Sequence, residues 1–594
     1  MTDARPSGVI ERPKILLKGA ALSVEMLNQL VDLRVETAVS RPAQAVLRFF
    51  DEEYAIFDDA KMEIGADVEV SLVDIKDGKA VRLFVGEITS LGVEAGPDDA
   101  PITVVTAQDL AHRLGRNSRH RVFANQTYAE MIKKILSENG MQGTVPPMSV
   151  TFEHFTQTVD DAAFIDEICR RTGLIWTVDG KRLVLRKPEL GTPVVSLARG
   201  VTLRRFRAQF DAAEVAESVE VRGWDPKAKK EIVGKSASQP SGLSNSSLVI
   251  SGRKSSKTFV AKKESVGYVT ASVDEANAMA ESLHGRSMGD ELRVRGEADG
   301  EPSIKAGCTI EIDRVGSKLK GKYFVTGAEH VYSGRDYVTR FTCGGPRPTT
   351  LADLVGGGQV SGQRFGPMIG LISNIGSEGF AGMVKLKLPS LGDNIESTWA
   401  RVVTPGGGKQ RGLQLMPSID DEVLVVFENG DLRRPFVLGG AWNPKDAMPL
   451  TGFAEGSTVN QWSLKDTSGH ALTFRSGSAR NKKNVEIALA DTQTKLFIGE
   501  DKVELWAAQG NTLQLKSGEG SITITADGSI EITGTKVTIT GKTDLAAKAL
   551  NVKINADVGV SVNANTALDL KSSASATLDG GGMATIKGGL VKIN

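Results

Sequence analysis

Short runs in which apolar and polar residues alternate fill most of the chain from residue 15 to about residue 345. Val68, Val70 and Leu72 form one such run. Clusters of glycine, aspartate and proline separate the runs from one another. Because successive side chains of a β-strand point to opposite faces, this pattern predicts antiparallel strands joined by turns.

Three segments of the same region carry apolar residues at helical spacing instead. In residues 128–139, Met131 and Ile135 fall on one helical face, and Gly140 follows as a stop signal. The other two segments are residues 160–172 and 274–287. The first half of the chain is therefore predicted to be β-rich with a few helices.

Residues 366–442 carry short strand signals separated by turn residues. The segments are MIGLIS, MVKLKL, TWARVV, GLQLMP, EVLVVF and PFVLGG. About 80 residues of this form make a small closed barrel, and the oligonucleotide/oligosaccharide-binding (OB) fold is the natural candidate. The glycine-rich run at 354–363, which precedes the barrel, has no periodicity and suits a flexible connection.

The C-terminal part of the chain has a different pattern, with no proline after Pro449 and no aromatic residue after Trp506. Aliphatic residues stand there in i, i+2 pairs, and the last pairs follow one another every eight residues. They are Val552/Ile554, Val560/Val562, Leu568/Leu570, Ala576/Leu578 and Ala584/Ile586. Looser pairs precede them from Ile487/Leu489 onward.

An eight-residue repeat leaves room for one short strand and one turn, and each strand offers only two side chains to a core. A single chain cannot enclose a core with such strands or pair their edges. Three copies wound about one axis solve both problems. We therefore predict a triple-stranded β-helix needle, whose core residues are Val552, Ile554, Val560, Val562, Leu568, Leu570 and Leu578. A single-chain solenoid and a disordered tail are the other interpretations of the pattern.

Together these patterns predict a mainly β protein with several domains. The boundaries are a hub domain with a few helices at 1–348, a linker at 349–363, an OB-fold domain at 364–449 and the β-helix spike at 450–594.

The net charge and the positions of the cysteines exclude several classes of function. Lys plus Arg and Asp plus Glu both number 72, so no long-range field draws the chain to nucleic acid. The cysteines, Cys169, Cys308 and Cys343, lie far apart, which indicates buried thiols and neither disulfides nor a zinc site. The mixed N-terminus and the lack of an apolar run of about 18 residues predict synthesis in the cytoplasm without a signal peptide.

Several motifs resemble catalytic or ligand-binding segments but fit structural roles better. Asp420, Asp421 and Glu422 fit a turn before a barrel strand better than a carboxylate cluster. The GGGKQ segment at 406–410 lacks the spacing of a phosphate loop, and the six histidines lack ligand spacing. The basic segment 251–263 has no interleaved aromatics and is predicted to be a solvated loop. No catalytic, cofactor or metal site is predicted, and the protein is not expected to be an enzyme.

The barrel region resembles the VgrG proteins of type VI secretion and the fused hub and central-spike proteins of contractile phage tails. The matching motifs lie at residues 382–389, 397–402, 417–427, 430–435 and 437–439. The residues that carry them are Trp399, Arg401, Pro417, Asp421, Glu422, Gly430, Asp431, Arg433, Arg434 and Pro435. Asp420 departs from the family pattern, which has glycine there, and aspartate tolerates a left-handed turn.

The resemblance implies a hub of two tube-protein-like β-barrels, so that a trimer offers six similar faces to a six-fold inner tube. It implies a homotrimer that contacts inner-tube and baseplate proteins at the hub, carries effector cargo and pierces the target membrane mechanically. Incorporation into an injection particle follows, and no nucleic-acid partner is expected. Whether the machine is an extracellular particle, a type VI apparatus or a phage tail stays open.

The C-terminal ATIKGGLVKIN is similar to needle ends that seat a separate PAAR-type tip protein. The residues implied at that interface are Ile586, Lys587, Leu590, Val591, Lys592, Ile593 and Asn594. A trimeric fibre that binds sugars or a receptor through its barrel is the alternative function, and exposed Trp399 and Trp442 would favour it. A spike bearing a hydrolytic domain is a third class, for which the chain shows no insertion.

Overall fold

A computed structural model describes residues 12–593 except for 74–79, 98, 212–215, 237–242, 257–261, 267–268, 271, 290, 335, 346–364, 479–481 and 491–492. The predicted linker 349–363 and the tip residue Asn594 therefore lie outside the described residues. The chain forms two compact units, Met1–Asp446 and Ala447–Asn594.

The first elements of unit 1 alternate strands with short helices. They are β1 (Lys14–Leu17), β2 (Ala20–Ala21), α1 (Val24–Asn28), β3 (Leu30–Ala38), β4 (Gln44–Phe50), β5 (Asp67–Val73), β6 (Ala80–Glu94), β7 (Ile102–Gln108), β8 (Arg121–Thr127), α2 (Tyr128–Glu138), β9 (Gln142–Thr144), β10 (Thr151–Gln157), α3 (Asp161–Thr172), β11 (Ile175–Asp179) and β12 (Arg182–Arg186).

The hub continues with a second set of elements. They are β13 (Ser196–Ala198), β14 (Leu203–Phe210), β15 (Ser218–Asp225), β16 (Lys230–Lys235), α4 (Ser247–Ser256), β17 (Lys262–Val266), α5 (Val273–Gly289), β18 (Leu292–Asp299), β19 (Thr309–Asp313), β20 (Gly321–Ser333) and β21 (Asp336–Cys343).

One 13-stranded sheet forms the framework of the hub, and its main path runs β14-β18-β21-β20-β3-β4-β7-β6-β5-β1-β2. Strands β3, β4, β7, β6 and β5 follow one another in one half, and β14, β18, β21, β20 and β19 do so in the other. The two predicted barrels thus correspond to two matching halves of one sheet, which meet where β20 pairs with β3. Each half has its own apolar core.

The three predicted helices are present as α2, α3 and α5. Thr127 and Glu130 form a capping box at the start of α2, in which each side chain accepts a hydrogen bond from the other residue's backbone N–H. Asp160 caps α3, which ends at Gly173 with φ +70°. Apolar faces of α2 and α3 pack on Phe123 and Trp176 in a separate core.

The segment 251–263 is not the solvated loop that its composition predicts. Residues up to Ser256 belong to helix α4, and Lys262 begins strand β17. Val249 of α4 is buried in the core of the second half-sheet, so tertiary packing fixes the helix.

The OB-fold prediction is met by a closed five-stranded barrel. Its strands are β22 (Met368–Ile375), β23 (Met383–Lys387), β24 (Ala400–Val402), β25 (Glu422–Phe427) and β26 (Pro435–Gly440), in the order β22-β23-β24-β26-β25. The predicted strand GLQLMP is an irregular segment instead, and its Leu413 and Leu415 are exposed. The barrel interior is filled by aliphatic side chains such as Val384, Leu386 and Val425.

Unit 2 consists of short antiparallel hairpins. Its strands are β27 (Ala454–Glu455), β28 (Thr458–Val459), β29 (Gln461–Lys465), β30 (Ala471–Arg475), β31 (Asn484–Ala488), β32 (Lys495–Gly499), β33 (Val503–Trp506), β34 (Leu513–Ser517), β35 (Gly520–Ile524) and β36 (Ile530–Thr533). Strands β29 to β33 form one sheet in chain order, and β34 to β36 form another. The described residues after Thr533 form turns and extended segments without a strand.

Candidate functional site

Trp399 of the barrel motif contacts an aromatic ring and an ammonium group. The Phe380 ring stacks on it with centroids 4.9 Å apart, and the Lys385 ammonium lies 5.4 Å from its centroid. Lys385 also donates a hydrogen bond of 3.1 Å to Glu396. Trp399 is half-buried and already stacked on Phe380, whereas Trp442 is 68 % exposed.

The acidic residues Asp420, Asp421 and Glu422 hold local structure. Asp420 has φ +70°, the left-handed conformation expected for this position. The Asp421 carboxylate accepts the Ser418 N–H at 2.7 Å, and Glu422 accepts from the Asn443 amide at 3.0 Å. Pro417 lies half-buried just before this turn. The carboxylates of Asp421 and Glu422 therefore have structural partners, as the interpretation of this segment as a turn requires.

Arg433 of the barrel motif is the centre of a buried ionic cluster between barrel and hub. Its guanidinium donates to Glu275 of α5 at 2.9 Å, to Asp431 at 2.9 Å and to the Val269 carbonyl at 2.6 Å. The Arg433 side chain is 9 % exposed and that of Glu275 is 4 % exposed. We call Arg171, Glu275, Asp431, Arg433 and Arg434 the hub–barrel joint.

Aromatic and backbone contacts complete the joint. The Arg433 guanidinium lies 5.2 Å from the ring centroid of Phe155 in β10. Arg434 donates to the backbone carbonyls of Trp224 at 3.3 Å and Thr270 at 3.2 Å. Gly430 has φ +77°, and Pro435 pairs with Phe427 at the start of β26. The two arginines of the motif thus bind the hub, while their neighbours shape the barrel.

Burial and charge act in opposite directions on the ionisable groups of the joint. Burial lowers the pKa of Arg433, but the carboxylates of Asp431 and Glu275 outweigh it and raise that pKa well above the usual range. Burial raises the pKa of Asp431, and the Arg433 guanidinium outweighs it, so that this pKa is lowered. Asp431 and Arg433 are therefore both ionised near neutral pH. Sequence reasoning missed Arg171 and Glu275, because nothing in their local pattern indicates the barrel.

The first sheet of unit 2 has one face made entirely of apolar side chains. The strand register brings them side by side: Trp462, Leu464, Leu472, Phe474, Val485, Ile487, Leu496, Ile498, Val503 and Leu505. The single chain leaves this face largely open, with Trp462 52 % and Val503 70 % exposed. The second sheet repeats the arrangement with Leu513, Leu515, Ile522, Ile524, Ile530 and Ile532.

The predicted needle core and tip residues are exposed in the single chain. Val552, Ile554, Val560, Val562, Leu568, Leu570 and Leu578 lie outside any strand and are all more than half exposed. At the C-terminal end, Ile586, Leu590, Val591 and Ile593 are exposed, as are Lys587 and Lys592. A series of apolar positions therefore runs from Trp462 to Ile593, most of which no other described residue covers.

Among the described residues, no three His, Cys, Asp or Glu side chains are grouped as metal ligands would be. No helix in the described ranges is long and apolar enough to cross a bilayer.

Two family models match the chain. The model of the Alg8 N-terminal domain matches residues 8–333, more than half of the chain. The model described as the type VI secretion system/phage-baseplate injector OB domain matches residues 368–442, the segment that forms the closed barrel.

Curated relatives match over shorter stretches. The actin cross-linking toxin VgrG1 of Vibrio cholerae is 34% identical over 96 residues, which are 14% of this chain and 9% of the relative. The type VI secretion system spike protein VgrG1b of Pseudomonas aeruginosa is 29% identical over 106 residues, 18% of this chain and 13% of the relative. The matched part of the chain thus spans about a tenth of the length of these relatives.

A solved structure extends the similarity of fold to most of the chain. A chain of the half-lidded PdpA-VgrG complex from Francisella superposes with a TM-score of 0.50 at 8% identity. The match covers 84% of this chain and 88% of that one.

Proposed function

The chain belongs to the family of the Alg8 N-terminal domain, and from this membership and its VgrG-like barrel we propose that it forms the homotrimeric central spike of a contractile injection machine. The hub caps the inner tube and contacts baseplate proteins. The needle carries a PAAR-type tip and pierces the target membrane, with effector cargo loaded on the assembly. The role is mechanical, and no catalytic step is proposed.

One observation carries the proposal: the apolar series of unit 2 is uncovered in the single chain. An aliphatic side chain gains about 1.5 to 3 kcal/mol when it is fully buried, and more than twenty such positions face solvent between Trp462 and Ile593. Three copies that turn these faces toward a common axis bury them together and pair the strand edges. A stiff prism of this kind transmits force along its axis.

The octad pairs support the same arrangement for the end of the needle. Their aliphatics keep an eight-residue register, but the single chain gives them neither strand partners nor a core. The apolar rim formed by Ile586, Leu590, Val591 and Ile593 then ends the needle as a flat surface that a tip protein covers.

The solution mass of the purified full-length chain tests the proposal, together with a chain that lacks residues 584–594. We expect both to have a mass near three times 63.3 kDa that resists dilution. Only the full-length trimer should bind a purified PAAR-type tip protein. A stable folded monomer would contradict the proposed spike. Equal tip binding by the truncated chain would show that residues 584–594 do not form the tip interface.

A further inference from the structure

One face of strands β14 and β18 carries four exposed arginines. Arg205 and Arg207 alternate on β14 with half-buried residues that pack on the hub core, and Arg293 and Arg295 flank the buried Val294 on β18. Because successive side chains of a strand point to opposite faces, the four arginines share the face that points away from the core. We call these four residues the arginine surface.

The strand register places two of these arginines directly opposite each other. Arg207 pairs with Arg295, and Arg293 pairs with the exposed Gln209. Opposite residues on one face of an antiparallel pair have Cβ atoms about 4.5 to 5.5 Å apart, and like charges in this arrangement destabilise the pair. An anion bound between the guanidinium groups of Arg207 and Arg295 would remove this repulsion.

The guanidinium groups of the arginine surface form no hydrogen bond or ion pair with another described residue. Arg204, the neighbour of Arg205 on β14, instead binds Asp299 at 2.7 Å and Asp336 at 2.6 Å. Glu297 lies opposite Arg205, but its carboxylate is bound to Arg340 at 3.3 Å. The described residues therefore supply no carboxylate partner to the arginine surface.

The arginine surface forms one side of a groove with a volume of about 560 Å³. Arg205, Arg207 and Arg295 line this groove, and Thr342 and Gly327 continue the row of Arg207 and Arg295 on the next two strands. A Cβ at Gly327 would lie 2.9 Å from Oγ1 of Thr342, so a larger residue would crowd the groove there. Ligand-binding clefts commonly measure about 300 to 1,000 Å³, so the groove is large enough for a peptide segment.

We propose that the arginine surface binds an acidic segment of a partner polypeptide. A guanidinium group can donate two parallel hydrogen bonds to one carboxylate, which makes arginine well suited to this ligand. The two arginines of each strand are two residues apart, or about 6.8 Å, and alternate residues of an extended peptide have the same spacing. A segment with an acidic residue at every second position can therefore offer one carboxylate to each arginine. The inference goes beyond the proposed function, because it assigns the hub a ligand surface that does not depend on trimer formation.

Acidic residues on the far side of the groove favour a polypeptide over a nucleic acid. Glu329 of β20 and Glu36 of β3 lie opposite each other, and both line the groove. Glu329 is bound to Arg34 and Arg340 at 3.3 Å, whereas Glu36 is exposed and has no ion pair among the described residues. A nucleic-acid strand carries a phosphate at every nucleotide and would bring negative charge against Glu36. A polypeptide can place a neutral or basic residue there.

Peptide binding to the full-length chain tests the proposal. The probe is a fluorescent ten-residue peptide of alternating glutamate and serine, and the control probe has glutamine in place of glutamate. Fluorescence anisotropy should show binding of the acidic peptide alone. Its affinity should fall about fivefold or more between roughly 50 and 300 mM NaCl, because salt screens exposed charges. Equal binding of the glutamine peptide would contradict recognition of carboxylates.

Two double variants locate the binding surface. Arg207→Gln with Arg295→Gln should bind the acidic peptide about tenfold more weakly or worse, because it removes charge-assisted hydrogen bonds to the carboxylates. Arg199→Gln with Arg411→Gln is the matched control, since both arginines are exposed and neither lines the groove. The control removes the same charge and should bind like the parent chain. Equal losses in the two variants would mean that net charge alone attracts the peptide, which would overturn the proposal.

Two further measurements distinguish the other possible occupants. A single-stranded ten-nucleotide DNA should bind more weakly than the acidic peptide, and tighter binding of the DNA would assign the surface to nucleic acid instead. Light scattering of Arg207→Gln with Arg295→Gln should give the same mass as the parent chain. A lower mass would mean that the arginine surface joins copies of this chain, and the proposal would be wrong. A monomeric parent chain that binds the acidic peptide would contradict the proposed trimer and support the arginine surface.

Discussion

Single residues show how local chemistry fixes the backbone. Aspartate was expected to keep the turn at position 420, where the family pattern has glycine. Asp420 adopts φ +70°, and its N–H donates to the Ile372 carbonyl at 2.9 Å. A short polar side chain reaches the left-handed region with less strain than a bulky or branched one. Aspartate in place of glycine at position 420 therefore leaves the fold of this turn unchanged.

His330 is a buried residue whose role only the structure reveals. One ring nitrogen lies 2.9 Å from the Ile304 carbonyl and must donate, and the other lies 2.8 Å from the Tyr337 hydroxyl and accepts. Burial lowers the pKa of His330 to about 4, although the Ile304 carbonyl opposes the shift, and the Lys305 ammonium adds to it. A proton on the accepting nitrogen would turn it into a donor, so that the Tyr337 hydroxyl would have to accept.

Stability should therefore fall as the pH drops from about 6.5 toward 4. The folded pKa of His330 lies below the unfolded value, so unfolding takes up a proton in this window. Each pH unit costs up to about 1.4 kcal/mol per histidine, and His154, whose pKa burial lowers to about 4, adds to the loss. Denaturant unfolding at several pH values measures this slope.

The variant His330→Gln should flatten the slope of unfolding free energy against pH, even if its stability at pH 7 is lower. His470→Gln, at an exposed position, controls for the substitution itself. An unchanged slope in His330→Gln would mean that this imidazole is not held neutral in the fold.

At the scale of elements, alternation of apolar and polar residues identified a strand only where another strand pairs with that segment. The predicted strand GLQLMP alternates, but Leu413 and Leu415 are exposed and no barrel strand pairs with it. The opposite error occurred at α4, whose Ser and Lys residues indicate a loop. Its Val249 is 1% exposed in the hub core, and this packing stabilises a helix that propensity does not favour.

The needle strands give a sharp prediction at this scale. Val562 is 64% exposed in the single chain, but the octad register places it in the shared core. Val562→Asp would then bring three carboxylates into a narrow apolar shaft, where an unpaired charge costs several kcal/mol. The trimer should dissociate on dilution or lose more than about 10 °C in melting temperature. Light scattering and thermal unfolding measure both.

Asn563→Asp is the matched control, because it adds the same charge one residue further on, where the side chain faces outward in the predicted needle. It should keep both the mass and the melting temperature of the parent. If the two variants behave alike, the octad pairs do not form a core.

At the scale of the whole molecule, the hub–barrel joint couples two folds that the sequence presents as separate domains. Replacing Arg433 with methionine removes the cation between the buried Glu275 and the partly buried Asp431, and leaves Glu275 with the Arg171 guanidinium 3.7 Å away. Breaking a buried pair in this way costs about 3 to 5 kcal/mol. We expect Arg433→Met to unfold its barrel at a lower temperature than its hub, as a separate calorimetric transition.

Arg401→Met provides the comparison for this variant. Arg401 lies 4.2 Å from the Phe436 ring within the barrel, and its side chain forms no hydrogen bond or ion pair with the joint among the described residues. The loss of this cation–π contact should lower the free energy of unfolding by about 1 kcal/mol or less, and hub and barrel should still unfold in one transition. A single unshifted transition in Arg433→Met would show that the joint does not couple hub and barrel.

Much of this protein followed from sequence because its signals are local. Alternation and turn residues determined the β-rich hub, capping residues and helical spacing located α2, α3 and α5, and the motif from Gly382 to Gly439 determined the barrel. The octad pairs predict a shared needle by the same logic, since two aliphatics per strand cannot make a core alone, and the needle stays a prediction. These features depend on neighbours within a few residues.

Tertiary structure decided what depends on distant parts of the chain. The joint brings Arg433 to Glu275, 158 residues away, and no local pattern encodes that contact. The match between the two half-sheets became visible only through strand order and matching register shifts, because equivalent positions such as Asp32 and Arg205 share a place in the strand and no residue type. Hydrophobic periodicity records which face of an element is buried, and the fold alone determines what buries it.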